Sequence, residues 1–191
     1  MNLSVNTMKS TSFLKSLLIF GLLSLVTQIQ AGEIGLAVGE KAASFELKNQ
    51  AGKSISLEAL SAQHGNLALV FYRSAGWCPF CKRQLIALQE NMETLKAAGI
   101  TLVGISYDSV EVLERFAKES NIGFTLLSDE GSKIIDAYKV RNEGARPGRA
   151  QGIPHPTIFL VNQEGVITAK LREESYRDRP TIEAIVEAAK G

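Results

Sequence analysis

The sequence predicts a single α/β domain, a central mixed β-sheet flanked by helices. Three observations carry this. The run Leu67-Ala68-Leu69-Val70-Phe71-Tyr72 is apolar without interruption, as a strand covered on both faces would be. From Pro79 onward Cys81, Leu85, Leu88, Met92 and Leu95 recur at alternating steps of four and three, one apolar stripe along a helix that stops near Gly99. A second buried strand, Ile100 to Ile105, follows at once.

The other elements fall into place around these. Ser44 to Lys48 is extended, Gln50-Ala51-Gly52 is a turn, and Ser54-Ile55-Ser56-Leu57 alternates as the second half of a hairpin. A helix over Ser109 to Lys118 opens with Asp108 or Ser109 as cap, a short strand covers Phe124 to Leu127, and a helix runs from about Glu130 to Tyr138. Arg141 to Gly152 breaks the pattern with glycines, a proline and three arginines, reading as a solvated insertion or an anion-binding rim. "IPHPTIFLVNQEGVITAKL" then gives two strands joined around Asn162 to Gly165. A final helix begins near Pro180, turns Ile182, Ile185, Val186 and Ala189 to one face, and stops at Gly191. Strands joined by crossing helices should be parallel, and those of the terminal hairpin antiparallel.

With 191 residues, 45% of them apolar and 21% charged, the chain has the composition of one globular domain. Its start reads differently. Lys9 and Lys15 precede the apolar run Leu17 to Val26, which ends in Thr27, Gln28 and small Ala31, the layout of a secretory signal over residues 1–31. The run is shorter than the roughly 20 residues a spanning helix needs, so removal after Ala31 is expected, with an uncleaved anchor as the alternative. The mature domain, 32–191, then has no stable membrane association. Lys9 and Lys15 leave with the signal and no acid does, so the net charge of +1 becomes −1, which excludes a large electrostatic footprint for nucleic acid. Export, periplasmic or secreted, places the chain where paired thiols can be oxidised.

"YRSAGWCPFCKRQL", residues 72 to 85, holds both cysteines. Cys78 falls between a buried strand and the start of the next helix, where free N–H groups and the helix dipole favour negative charge. Cys-x-x-Cys thiols so placed have pKa values lowered to about 3.5–7.5, and the thiolate is the nucleophile. Cys78 is therefore read as the attacking sulfur. Cys81, one turn deeper on the apolar stripe, is placed to resolve a mixed disulfide or a sulfenic acid formed on Cys78. Pro79 fixes the backbone at the helix start, and Trp77 reads either as a wall of the site or as a packing residue.

"WCPFCK" resembles the active-site segment of thioredoxin-like proteins, and "VGEKAASFELKNQAGKSISL" with "LALVFYR" resembles the opening of peroxiredoxins. "LLSDEGSKIIDAYKV", "IPHPTIFLVNQEGVI" and "YRDR" extend the likeness over the mature chain, which is similar to the alkyl hydroperoxide reductase/thiol-specific antioxidant family, in a branch bearing Cys-Pro-x-Cys. The resemblance implies a thioredoxin-like fold and a thiol peroxidase with no bound cofactor, taking a peroxide or disulfide substrate and an external, thioredoxin-like dithiol reductant. It also implies a cis proline opposite the cysteines, at Pro156 or, as competitor, Pro154, with the peptide around His155, Pro156 and Thr157 offering backbone groups to an extended substrate. The chain departs from the family in two ways. Ala75 stands three residues before Cys78 where a hydroxyl residue is usual, and Arg73 follows Tyr72 where proline is usual. Ser74 is a possible substitute donor, and Arg73 or Arg83 a possible partner for the thiolate.

Other readings of the pair stay open. A structural bridge over two intervening residues closes too short a loop to restrain much of the unfolded chain. A soft-metal module, the two thiolates with His155 or His64 holding Cu(I), is the rival from another class, although a closed zinc site would need four ligands. Disulfide exchange on proteins uses the same two cysteines and differs from peroxide reduction in the first step. His155, beside the site, is also read as a group that tunes Cys78 or carries a proton.

Overall fold

The computed structural model describes Met1 and residues 33–190. The expected signal over 1–31 and the expected stop at Gly191 lie outside this span, Met1 aside. Among the described residues no helix is long and apolar enough to cross a membrane.

The chain forms β1 (Glu46–Asn49), β2 (Ser54–Ser56), α1 (Leu57–His64), β3 (Asn66–Phe71), α2 (Pro79–Glu90), α3 (Met92–Ala97), β4 (Ile100–Ser106), α4 (Val110–Glu119), β5 (Thr125–Ser128), α5 (Lys133–Ala137), β6 (Thr157–Val161), β7 (Ile167–Leu171) and α6 (Ile182–Ala188). The seven strands make one mixed sheet in the order β2-β1-β5-β4-β3-β6-β7. β3, β4 and β5 are parallel, as their helical crossovers require, while β6 runs antiparallel to β3 and to β7, and β1 antiparallel to β2 and β5.

Alternation along β3 divides the core. Ala68, Val70 and Tyr72 face one side with Leu85 and Leu88 of α2, Leu113 and Phe116 of α4 and Ile185 of α6. Leu67, Leu69 and Phe71 face the other with Leu57 and Leu60 of α1 and Ile135 of α5. β3 is thus buried on both faces, which is why its sequence shows no polar alternation.

Three expectations need correction. Leu57 does not end a strand: Ser56 caps α1, its Oγ accepting from the Ala59 N–H at 3.1 Å, so the chain turns into a helix there. The long helix from Pro79 divides at Asn91, whose Nδ2 donates to the Ala87 carbonyl at 2.9 Å and whose backbone leaves the helical region. The helix expected from Glu130 to Tyr138 shortens to α5, because Ser132 sits in the left-handed region at φ 60°.

Neither Pro154 nor Pro156 follows a cis bond; among the described residues no peptide bond is cis. Pro154 bridges to Arg141 and the His155 N–H donates to the Val140 carbonyl at 2.7 Å, so an extended trans path leads directly into β6. Trans is also the lower-energy state of an X-Pro bond, by about 0.5–1 kcal/mol.

Candidate active site

β3 ends at Phe71, and its partner at that point is Thr157, the first residue of β6. The register therefore brings the His155-Pro156-Thr157 segment alongside the loop that leaves β3 for the cysteines. Thr157 is buried and its Oγ1 donates to the His155 carbonyl at 3.0 Å. His155 is partly covered, and burial, with Arg172 as the lesser cause, holds its imidazole below the usual value.

Cys78 is the N-cap of α2 and Pro79 opens the helix. The Cys81 N–H points at the Cys78 sulfur, 3.3 Å away, so one of the unpaired donors at the helix start serves the sulfur. The two cysteines are joined as a disulfide with Cα atoms 5.3 Å apart. In this oxidised form both are covered, Cys78 to 1% exposure and Cys81 to 0%. The sulfur the sequence reads as attacking is thus buried in the disulfide state.

The loop before Cys78 is held from beneath by a carboxylate. Asp108, just beyond β4, accepts from the Ser74 hydroxyl at 2.7 Å, the Ala75 N–H at 2.6 Å and the Ser106 hydroxyl at 2.9 Å. Ser74 Oγ in turn accepts from the N–H groups of Gly76 and Trp77. Burial raises the Asp108 pKa, and those hydrogen bonds oppose the shift. Ser74 is therefore buried and committed to the loop; it is not placed as a donor toward the Cys78 sulfur. Asp108 had been legible only as a helix cap.

Aromatic and cationic side chains gather beside the cysteines. Trp77 and Phe80 pack against the apolar cluster that contains both cysteines. Trp77 Nε1 donates to the Tyr107 hydroxyl at 2.8 Å, and that hydroxyl donates to the Arg149 carbonyl. Arg73 lies over Trp77 and over Tyr176, 5.0 and 4.5 Å from the ring centroids, while Arg149 lies over Trp77 at 5.2 Å and Arg83 over Phe80 at 4.7 Å. Tyr176 meets Phe80 edge to face at 5.9 Å. The 141–152 loop joins this group through Arg149, whereas Arg141 pairs with Asp136 on α5.

One contact to the cysteines escaped the sequence reading. Arg179, between β7 and α6, places Nη2 3.6 Å from the Cys81 sulfur. The "YRDR" segment, noted only for its likeness to a family, was the available signal. Of the proposed metal partners, His64 ends α1 beside the start of β3, at the opposite end of a strand of six residues, about 20 Å from the cysteine loop. Among the described residues no three His, Cys, Asp or Glu side chains gather as a metal site would need.

A mixed sheet, a helix capped by the first of two cysteines, and a strand start beside them define a thioredoxin-fold thiol oxidoreductase. The chain belongs to the AhpC/TSA family, whose model matches residues 38–170. It is 34% identical over 132 residues to peroxiredoxin Bcp of Escherichia coli (strain K12), a match spanning 69% of this chain and 83% of that protein. To chloroplastic peroxiredoxin Q of Sedum lineare it is 38% identical over 125 residues, 64% of this chain and 62% of that one. In structure it is similar to peroxidoxin BcpB from Mycobacterium tuberculosis, with TM-score 0.67, 22% identity and coverage of 83% and 96%. A putative protein disulfide isomerase from Bacteroides thetaiotaomicron shares the fold at TM-score 0.62 and 23% identity, with coverage of 83% and 92%. The protein is accordingly a peroxiredoxin-like, thiol-dependent oxidoreductase.

Proposed function

We propose that the protein reduces peroxides in an exported compartment, with Cys78 as the attacking and Cys81 as the resolving thiol. The Cys78 thiolate attacks one peroxide oxygen and the O–O bond breaks; the departing alkoxide or hydroxide takes, through solvent, the proton Cys78 released on ionising, leaving as alcohol or water while Cys78 becomes a sulfenic acid. The Cys81 thiolate then attacks the Cys78 sulfur; the S–S bond forms and hydroxide departs, to be protonated to water. An external dithiol of the thioredoxin-like kind returns both sulfurs to the reduced state by exchange through a mixed disulfide.

The observation that carries this reading is the cap geometry: Cys78 at the start of α2 with the Cys81 N–H aimed at its sulfur, and Cys81 within bonding reach. Stopped-flow oxidation of the reduced protein by hydrogen peroxide tests it. The expected result is rapid loss of both thiols, abolished in Cys78→Ser. Protein-disulfide exchange is the second reading, favoured by Ala75 where the family places a hydroxyl residue. Slow reaction with peroxide alongside fast reduction of insulin would establish it instead.

Export rests on the layout of residues 1–31. The mature chain is expected to begin at Gly32, which N-terminal sequencing of the protein recovered from its native compartment reads directly; a Met1 start there would contradict it.

A further inference from the structure

The cation that serves this dithiol faces the second sulfur. Arg179 reaches it from a part of the chain 98 residues away. Its guanidinium is held on every side: Nε donates to Gln84 Oε1 at 2.8 Å, and Nη1 donates to the carbonyls of Tyr176 and Asp178. Gln84 is itself buried and lies one helical turn beyond Cys81 on α2. That leaves Nη2, aimed at the Cys81 sulfur at 3.6 Å. A pinned arginine lined up with a buried, reacting sulfur is costly to assemble and does little for a neutral thiol.

We infer that Arg179 is a catalytic residue for Cys81, stabilising its thiolate when Cys81 attacks the Cys78 sulfenic acid and again when it leaves as the disulfide is reduced. The inference rests on the peroxidase reading for the first of these steps only; thiolate departure occurs in any reduction of the bridge. Cys81 needs such a partner because burial in apolar surroundings raises a thiol's pKa. Lys82 and Arg83 follow Cys81 on α2, and Cys78 caps that helix. Arg73 comes from the β3–α2 loop, Asp178 and Arg179 from the segment before α6, Asp108 from the end of β4, where Lys82 also acts on it, and His155 from the approach to β6. Asp108 is occupied by Ser74, Ala75 and Ser106. Burial, and after it the like charge of Arg73, holds the Arg179 pKa down to about 10, still well above neutral, so the guanidinium stays charged where the thiolate forms.

The balance of the closing step is simple. Cys81 thiolate supplies the electron pair for the S–S bond, the Cys78 S–O bond breaks, and the departing hydroxide is protonated through solvent by the proton that Cys81 released on ionising, giving water. Arg179 gives up no proton; it only favours the ionised form of the attacking group. Its side chain is always charged at working pH, so its effect on Cys81 is a shift in titration and not a switch.

The test separates this role from folding. In Cys78→Ser protein, thiolate absorbance near 240 nm follows Cys81 against pH. Arg179→Met is expected to raise that midpoint by one unit or more, a tenfold loss of thiolate at neutral pH, and Arg179→Lys to recover part of it. In the two-cysteine protein Arg179→Met should slow disulfide closure at least tenfold at pH 7, with the deficit shrinking as pH rises above the new midpoint, while sulfenic acid formation in Cys81→Ser changes little. An unmoved Cys81 midpoint, or a closure defect of equal size at every pH, overturns the inference. If Arg179→Met does not fold, Gln84→Ala, which frees the guanidinium from its anchor, must move the midpoint in the same direction. Absence of any sulfenic acid in Cys81→Ser, with the midpoint still raised by Arg179→Met, would remove the peroxidase reading and support this one.

Discussion

Cys78 and Cys81 occupy the same helical turn yet meet different surroundings. Both are buried in the same apolar cluster, but the first caps α2 and receives a backbone N–H, while the second faces a guanidinium. Close by, His155 offers a prediction about pH. Its imidazole is held below the ordinary value by burial first and by Arg172 second, so the folded protein prefers it neutral. Its contribution to stability is complete above the unfolded value near 6.5 and is lost as pH falls through the lower folded value. The melting temperature should therefore drop between pH 7 and pH 5, and His155→Gln should flatten that part of the curve relative to the parent. Identical slopes in the two proteins would assign the loss to other groups. The sequence marked both cysteines, Trp77 and His155, because their types carry chemistry. It did not reveal that Ser74 serves Asp108, since hydroxyl and carboxylate are 34 residues apart and meet only across the end of the sheet.

Elements position these residues by packing. β4 passes beside β3 with Gly104 opposite Val70, and a Cβ at Gly104 would lie 2.8 Å from Leu126 Cδ2 and 3.1 Å from Tyr72 Cε1. Tyr72 is fully buried on the face that carries the cysteines. Gly104→Ala is expected to cost about 1–3 kcal/mol in denaturant unfolding, through displacement of well-packed side chains; a change within 0.5 kcal/mol would show that Leu126 and Tyr72 yield easily. The strands and the stripe of α2 were readable because they repeat one pattern over several residues. α1 was not, because its apolar positions are few and its polar ones scattered; its start depends on a single serine cap. The break between α2 and α3 turns on one asparagine within an unbroken stripe, a local competition that periodicity does not register.

For the whole domain, two apolar clusters on opposite faces of the sheet hold β3 rigid, and the site lies past its C-terminal end. Ligand sites outside the carboxyl ends of parallel strands are the general pattern in α/β folds. The alternation of strand and helix made this layout legible from one sequence. The cluster around Trp77 was not legible: Arg73, Arg149 and Tyr176 come from three distant segments, and only the fold gathers them there. Both sulfurs are covered in the disulfide state, and the proposed mechanism assigns the first step to Cys78. The most direct measurement is to treat reduced Cys81→Ser protein with one equivalent of hydrogen peroxide, trap with dimedone and map the adduct by mass spectrometry. The account predicts a single adduct on Cys78, formed within the time that the two-cysteine protein takes to close its disulfide. A protein left unlabelled while peroxide persists would contradict it.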